Sequence, residues 1–247
     1  MKVIFHEAFY DVYTDDPAAA EGRMEAIVEV IGSDVDLVTA EPASEDQIAA
    51  AHTEQHIDHV KESGLYAISA LAAGGAIQTD RIGLSEPAFG LIRPPGHHAS
   101  QESSWGFCYF NNMAVALLSL RSEGLIKTAL VLDIDLHFGN GTVNILTDHE
   151  WVKAYNPQEG SRGKYIQEVA HILSGVQPDL IGISAGFDSH MEDWGKLLAT
   201  EDYFAVGVLV KKAAKSCGGG CFAILEGGYN HDVLGYNVAA LLEGLSA

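Results

Sequence analysis

Four short apolar runs in this chain each stop at a cluster of polar residues, and that repeated juxtaposition limits the folds open to it. Thr128–Leu132 leads into Asp133-Ile134-Asp135-Leu136-His137, and Leu180–Ile183 into Ser184-Ala185-Gly186-Phe187-Asp188. Ala88–Ile92 leads into Arg93-Pro94-Pro95-Gly96-His97-His98, and Cys221–Leu225 into Glu226-Gly227-Gly228-Tyr229. Continuous apolar runs of this length suit strands covered on both faces. Strand-like runs at 2–6, 88–93, 128–135, 152–155, 180–185 and 221–226 alternate with helical patterns at 18–31, 109–122, 162–174, 201–216 and 232–245. A capping box, Ser44-Glu45-Asp46-Gln47, opens a further helix. Such alternation predicts an α/β protein, a three-layer α/β/α unit with a mostly parallel sheet. With 247 residues and 47% hydrophobic content, residues 1–247 read as a single domain around one large core. Open parallel sheets bind ligands outside the carboxyl ends of their strands, where all four polar clusters fall.

Side chains alternate along a strand, so Asp133, Asp135 and His137 are expected on one face, with Ile134 and Leu136 on the other. Taken alone, this D-x-D-x-H run fits a solvated loop with a core histidine equally well; the other three clusters favour a site. Two carboxylates and an imidazole are costly to bury without a compensating charge, and a divalent cation supplies one. Asp188 offers a further carboxylate from a second strand end. Two carboxylates and one imidazole leave a coordination position for water, the layout of a catalytic site, and a bound ion can lower the pKa of water to about 7. An adjacent histidine can take and return a proton, and Tyr229 can hydrogen-bond an oxygen as negative charge develops there. The inventory points to metal-assisted amide hydrolysis.

The strings R-P-P-G-H-H-A, G-F-C-Y-F-N-N, D-I-D-L-H-F-G-N-G, S-A-G-F-D and E-G-G-Y, in that order, resemble the histone deacetylase and acetylpolyamine amidohydrolase family, which has the arginase-deacetylase fold. The resemblance runs from the opening K-V-I-F-H to the closing helix. It implies a deacetylase-like catalytic domain in which Asp135, His137 and Asp188 bind one divalent metal, Zn2+ foremost, with Fe2+ or Co2+ also suited. By the same resemblance His98 is general base and then acid, and His97 is an electrostatic partner held by Asp133. Tyr229 polarises the acyl carbonyl, and Phe107, with Gly106 and Trp105 beside it, lines the substrate channel. Asn140 stands where some members carry an aspartate that pairs with the second histidine, and K+ binds around Asp133, Asp135 and His137 in many members. The implied substrate is an acetylated polyamine-like amine or an acetyl-lysine side chain.

Departures from the family bear on the pocket. The stretch between His137 and Asp188 is short and lacks a loop whose aromatic residue faces the Phe107 position, and the stretch from His59 to Arg93 is short as well. An open pocket is therefore expected, its missing wall supplied by a second subunit, and so a homo-oligomer, or by a bulky substrate.

Composition narrows the rest. Fourteen basic against 34 acidic residues give a net charge of −20, which disfavours nucleic acid and anionic membrane and favours a cationic substrate. Glu7, Asp11, Glu102 and Glu192 are candidate partners for such a cation. Three cysteines argue against a disulfide scaffold, and the absence of a visible signal peptide or long apolar segment predicts a cytoplasmic protein. Cys217-Gly218-Gly219-Gly220-Cys221 reads as a helix-to-strand turn, and His6, His52, His56, His59, His149, His171 and His231 as structural. Two other functions are compatible with the architecture: an arginase-like ureohydrolase and a non-catalytic binding protein. The first needs further paired ligands, and Asp188 is followed by Ser189 and His190 with no aspartate two positions on.

Overall fold

The computed structural model describes all 247 residues, Met1–Ala247. Its strands are β1 (Lys2–Phe5), β2 (Asp36–Thr39), β3 (Ala88–Gly90), β4 (Ala129–Asp133), β5 (Val152–Tyr155), β6 (Leu180–Ala185) and β7 (Gly220–Leu225). They form one sheet in the order β2-β1-β3-β7-β6-β4-β5, and every neighbouring pair is parallel. The helices are α1 (Arg23–Ile31), α2 (Glu45–Ala49), α3 (Glu54–Glu62), α4 (Tyr66–Gly83), α5 (Asn112–Ser122), α6 (Asn140–Leu146), α7 (Arg162–Ser174), α8 (Thr200–Cys217) and α9 (His231–Ser246).

The central strands β3, β4 and β6 are buried along their whole length, as both-face coverage requires. Helices α4 and α5 pack against each other, and α4 lies over β1, β3 and β7. The other layer is built on α8, which packs on β6 and β7 and joins α9 and α7; α1 packs on α9. Ser44 caps α2 as the sequence predicts, accepting from Gln47 N while the Gln47 side chain accepts from Ser44 N. Cys217 to Cys221 does connect α8 to β7, with Gly218 in the left-handed region at φ 68°. No helix is long and apolar enough to cross a membrane.

Helices α3, α4 and α6 and strand β2 are additions to the expected order. Helix α4 has 18 residues, and Ala and Gly make it apolar on nearly every side, so it presents no 3.6-residue stripe. Strand β2 is an edge strand and largely exposed, so it presents no apolar run. A further difference concerns the site itself: β4 ends at Asp133 rather than Asp135.

Strands β3, β7, β6 and β4 are consecutive neighbours in the sheet. Their carboxyl ends therefore bring Arg93–His98, Glu226–Tyr229, Ser184–Asp188 and Asp133–His137 to one edge, although these segments lie far apart in sequence.

Candidate metal centre and acyl pocket

Because β4 stops at Asp133, strand alternation cannot align Asp133, Asp135 and His137; turn hydrogen bonds place them instead. Asp135 N donates to Asp133 Oδ1 at 3.2 Å, and His137 N donates to Asp135 Oδ1 at 2.9 Å. Gly227 N donates to Asp135 Oδ2 at 2.9 Å and Leu136 N to Asp188 Oδ1 at 2.9 Å, so both carboxylates are aimed by backbone amides. At Gly227 a Cβ would stand 2.5 Å from Asp135 Oδ2, and only glycine lets that strand end approach so closely.

The outcome is a convergence of Asp135, His137 and Asp188, whose ligand atoms lie within 4.8 Å of one another. His137 Nδ1 is 3.2 Å from Asp135 Oδ1 and 3.0 Å from Asp188 Oδ2. One ring N–H can serve only one of them; it serves Asp135, and Asp188 Oδ2 is buried without a hydrogen bond. Two carboxylate oxygens and an imidazole nitrogen around an unsatisfied buried oxygen fit a divalent cation. The electrostatics agree. The Asp135 carboxylate, which accepts from the ring, and the Asp188 carboxylate beside it push His137 up to about 10. Burial and then Asp135 raise Asp188, whereas for Asp135 burial is outweighed by His97, His137 and the backbone amides, which hold it below the usual carboxylate range.

Asp133 points elsewhere. Its Oδ2 lies 3.0 Å from His97 Nδ1, and both side chains are buried. Burial alone would lower His97, but Asp135 and Asp133 together raise it well above the ordinary histidine value. The turn that presents the histidine pair is fixed by Glu226, whose Oε2 accepts from Gly96 N at 2.7 Å and His97 N at 3.2 Å.

His98 is organised through one oxygen. Asn140 Oδ1 lies 2.8 Å from His98 Nδ1 and accepts from Trp105 Nε1 at 3.1 Å. An indole N–H can only donate, so the atom it meets is the amide oxygen; His98 Nδ1 must then carry hydrogen, leaving Nε2 as the free base. The Trp105 ring stacks on His98 with centroids 3.8 Å apart. Burial and the neighbouring His97 lower His98 to about 4, so it is unprotonated at neutral pH. A Cβ at Gly106 would meet His98 Cδ2 at 2.5 Å, and φ there is +59°, which also reserves the position for glycine.

Tyr229 is held by residues the sequence did not single out. Arg23, fully buried, donates from Nε to Gly228 O at 2.8 Å and from Nη2 to Glu226 O at 2.6 Å. Asp193 Oδ2 accepts from Tyr229 N at 2.7 Å and Asn230 N at 2.8 Å. The phenol ring stacks on Trp194 at 4.1 Å and meets Phe107 edge-on at 6.0 Å. Burial, then Asp135, pushes the Tyr229 hydroxyl up, so it remains a donor. Phe107 itself holds a left-handed backbone, φ 68°, a strained state of roughly 1 kcal/mol or more for such a residue.

These side chains surround a cavity of about 120 Å³ lined by the histidine pair, Trp105, Phe107, His137, Trp194 and Tyr229, with Pro95, Gly106 and Gly227. All of the expected channel residues, Trp105, Gly106 and Phe107, line it. Trp194, on the turn after Asp188, lines the cavity between His137 and Tyr229. Glu7, Asp11, Glu102 and Glu192 are exposed, and none lines the cavity. A larger hollow of about 450 Å³ beside β5 shares no lining residue with it. No second-ion ligands accompany Asp188: His190 faces Tyr203 and Thr200. His97, Cys108 and Glu226 also cluster, but Glu226 is occupied by the Gly96 and His97 amides and the Ser184 hydroxyl.

Comparisons with known proteins follow the same lines. The family model of the histone deacetylase domain matches residues 18–157 and 158–245. The chain is similar to a probable deacetylase of Methanothermobacter thermautotrophicus, 30% identical over 304 aligned residues that cover 98% of this chain and 90% of that protein. It is 28% identical to a polyamine deacetylase of Danio rerio, covering 84% of this chain and 40% of that one. Among solved structures the HD domain of HDA15 superposes with a TM-score of 0.83 at 24% identity, covering 99% of this chain and 88% of that one, a likeness of fold.

Proposed function

Since the chain belongs to the histone deacetylase family, we propose that it is a metal-dependent amidohydrolase that removes an acetyl or similar acyl group from a cationic amine, an acetylated polyamine or an acyl-lysine side chain. The observation that carries this reading is the unsatisfied Asp188 oxygen in the Asp135–His137–Asp188 convergence, beside an unprotonated His98 and a protonated Tyr229. Asp135, His137 and Asp188 would hold the ion, with Zn2+, Fe2+ or Co2+ suited to the donors. Such an ion supplies Lewis acidity and makes water more acidic.

The protein groups divide the remaining work. His98 Nε2 takes a proton from the attacking water and delivers it to the amine nitrogen as the C–N bond breaks, giving a carboxylic acid and a free amine. Asn140 and Trp105 hold it in the tautomer that can do so. His97, charged and paired with Asp133, places positive charge next to it. Tyr229 donates to the acyl oxygen as that oxygen gains charge. Asp133 Oδ1 and Oδ2 already face Asp135 N and His97, so a K+ ion near Asp133, Asp135 and His137 would share them. The net charge of −20 draws cationic substrates toward the protein, in keeping with a relative described as a polyamine deacetylase.

The test is turnover of acetylated polyamines and acetyl-lysine peptides by metal-loaded protein. Tyr229→Phe should lose roughly 10²- to 10³-fold in kcat, the effect of one oxyanion donor, and His98→Ala a comparable factor or more. Near wild-type turnover in both variants would remove the assigned chemistry.

A further inference from the structure

We propose that the free edge of β5 is a dimer surface, occupied by the β5 of a second copy of this chain paired antiparallel across a two-fold axis. Strand β5 ends the sheet, and the chain turns from it into α7 through residues 156–161, where the family match divides between 157 and 158. Trp151 O accepts from Ala129 N, and alternation in a parallel ladder turns the backbone groups of Lys153 and Tyr155 to β4 as well. Val152 O, Ala154 N and Ala154 O therefore point outward, and no loop or side chain satisfies them. The opposite edge is treated differently, since Thr39 O of β2 accepts from Gln78 Nε2 at 3.2 Å. An unpaired strand edge is a template for pairing with another chain.

The surroundings of that edge suit a strand. A hollow of about 450 Å³ runs along all four β5 residues, walled by Val143 and Leu146 of α6 and by Ile172 of α7. None of its lining residues is acidic, although the chain carries 34 acids, so two bodies of charge −20 can meet there without opposed carboxylates in the groove. The register follows from the free groups. With Ala154 opposite Ala154 of the second copy, each N–H donates to the other's carbonyl, and both outward-facing groups of each alanine are satisfied. The same register sets Lys153 opposite Tyr155 of the second copy, whose hydroxyl donates to Glu168 Oε1 at 2.6 Å. Side chains of such a non-hydrogen-bonded pair are close neighbours, so each lysine meets the other copy's Glu168, and the two-fold makes this contact twice. Lys153 has no ion-pair partner in its own chain. A foreign peptide would satisfy the same backbone groups, but the second copy brings by symmetry the carboxylate that Lys153 lacks.

The experiment is sedimentation equilibrium of the full chain at about 1 to 100 μM, in about 0.3 M NaCl so that long-range repulsion is screened. Wild type should reach twice 26.4 kDa within that range. Ala154→Pro, which removes an outward N–H and leaves the β4 ladder whole, should weaken the dimer about thirtyfold or more through two lost hydrogen bonds. Lys153→Glu, which opposes two carboxylates, should weaken it about tenfold. Circular dichroism melting checks that both variants fold. If Ala154→Pro does not, Ala154→Cys decides: the paired Cα atoms should lie about 5.5 Å apart, within the roughly 4.4 to 6.8 Å that a disulfide spans. Mild oxidation should then give a covalent dimer that wild type does not form. A wild type that is monomeric at every concentration overturns the proposal and leaves the edge to a strand of another protein. A dimer that neither Ala154→Pro nor Lys153→Glu weakens also overturns it, as does an Ala154→Cys protein that gives no covalent dimer.

Discussion

Asp80 in α4 and Asp135 at the end of β4 are both buried carboxyl groups, yet they are opposite in character. Asp135 receives the His137 and Gly227 amides and sits among histidines, and it is held ionised. Both oxygens of Asp80 lack a hydrogen-bond partner, and burial lifts it well above the ordinary carboxylate value, so its charged form is disfavoured. The difference lies in the backbone around each. A helix spends its amides on its own carbonyls, whereas the ends of parallel strands release amides that point outward at whatever follows. Charge can be kept at the strand ends because the chain there has donors left over.

The same substitution made in both places should therefore act with opposite sign. Asp135→Asn leaves His97 and His137 facing a neutral amide; it should abolish stoichiometric metal in elemental analysis after dialysis and cost about 3 to 5 kcal/mol, as breaking a buried ion pair does. Retention of the ion would break the comparison. Asp80→Asn should stabilise the protein at pH 7.5, because burial disfavours the charged form of the native side chain there. For an acid whose folded pKa is raised, stability is full below the unfolded value near 4 and declines as pH rises toward the folded value. The gain should consequently vanish in urea unfolding at pH 4, and an equal gain at both pH values would show that ionisation is not its source. The smallest effect sharpens the strand-end side: Trp105→Phe keeps the stack on His98 but removes the donor to Asn140, and losing about 1 kcal/mol should reduce kcat about fivefold with KM little changed in steady-state kinetics.

The four motif-bearing strands were legible because an abrupt change from apolar to polar survives translation into one dimension. Helix α4 was not, since its Ala- and Gly-rich surface is covered on nearly every side, and neither was β2, whose exposed edge carries no apolar signature. The overshoot of β4 to Asp135 arose from Ile134, which is fully buried but beyond the last paired residue. Asp135, His137, Asp188, His98 and Tyr229 converge, whereas Asp133 serves His97 rather than the ligand cluster. Arg23, Asp193 and Trp194 escaped notice for a common reason: each acts on a partner 35 or more positions away, and nothing next to them in sequence marks it. An arginine on an amphipathic helix ordinarily faces solvent.

Arg23 carries one last consequence. Its guanidinium grips the carbonyls of Glu226 and Gly228, 203 and 205 residues further on, so the opening helix is a fastener for the closing turn. Arg23→Ala should therefore loosen the turn that carries Tyr229, although Arg23 itself contributes no ligand and no proton.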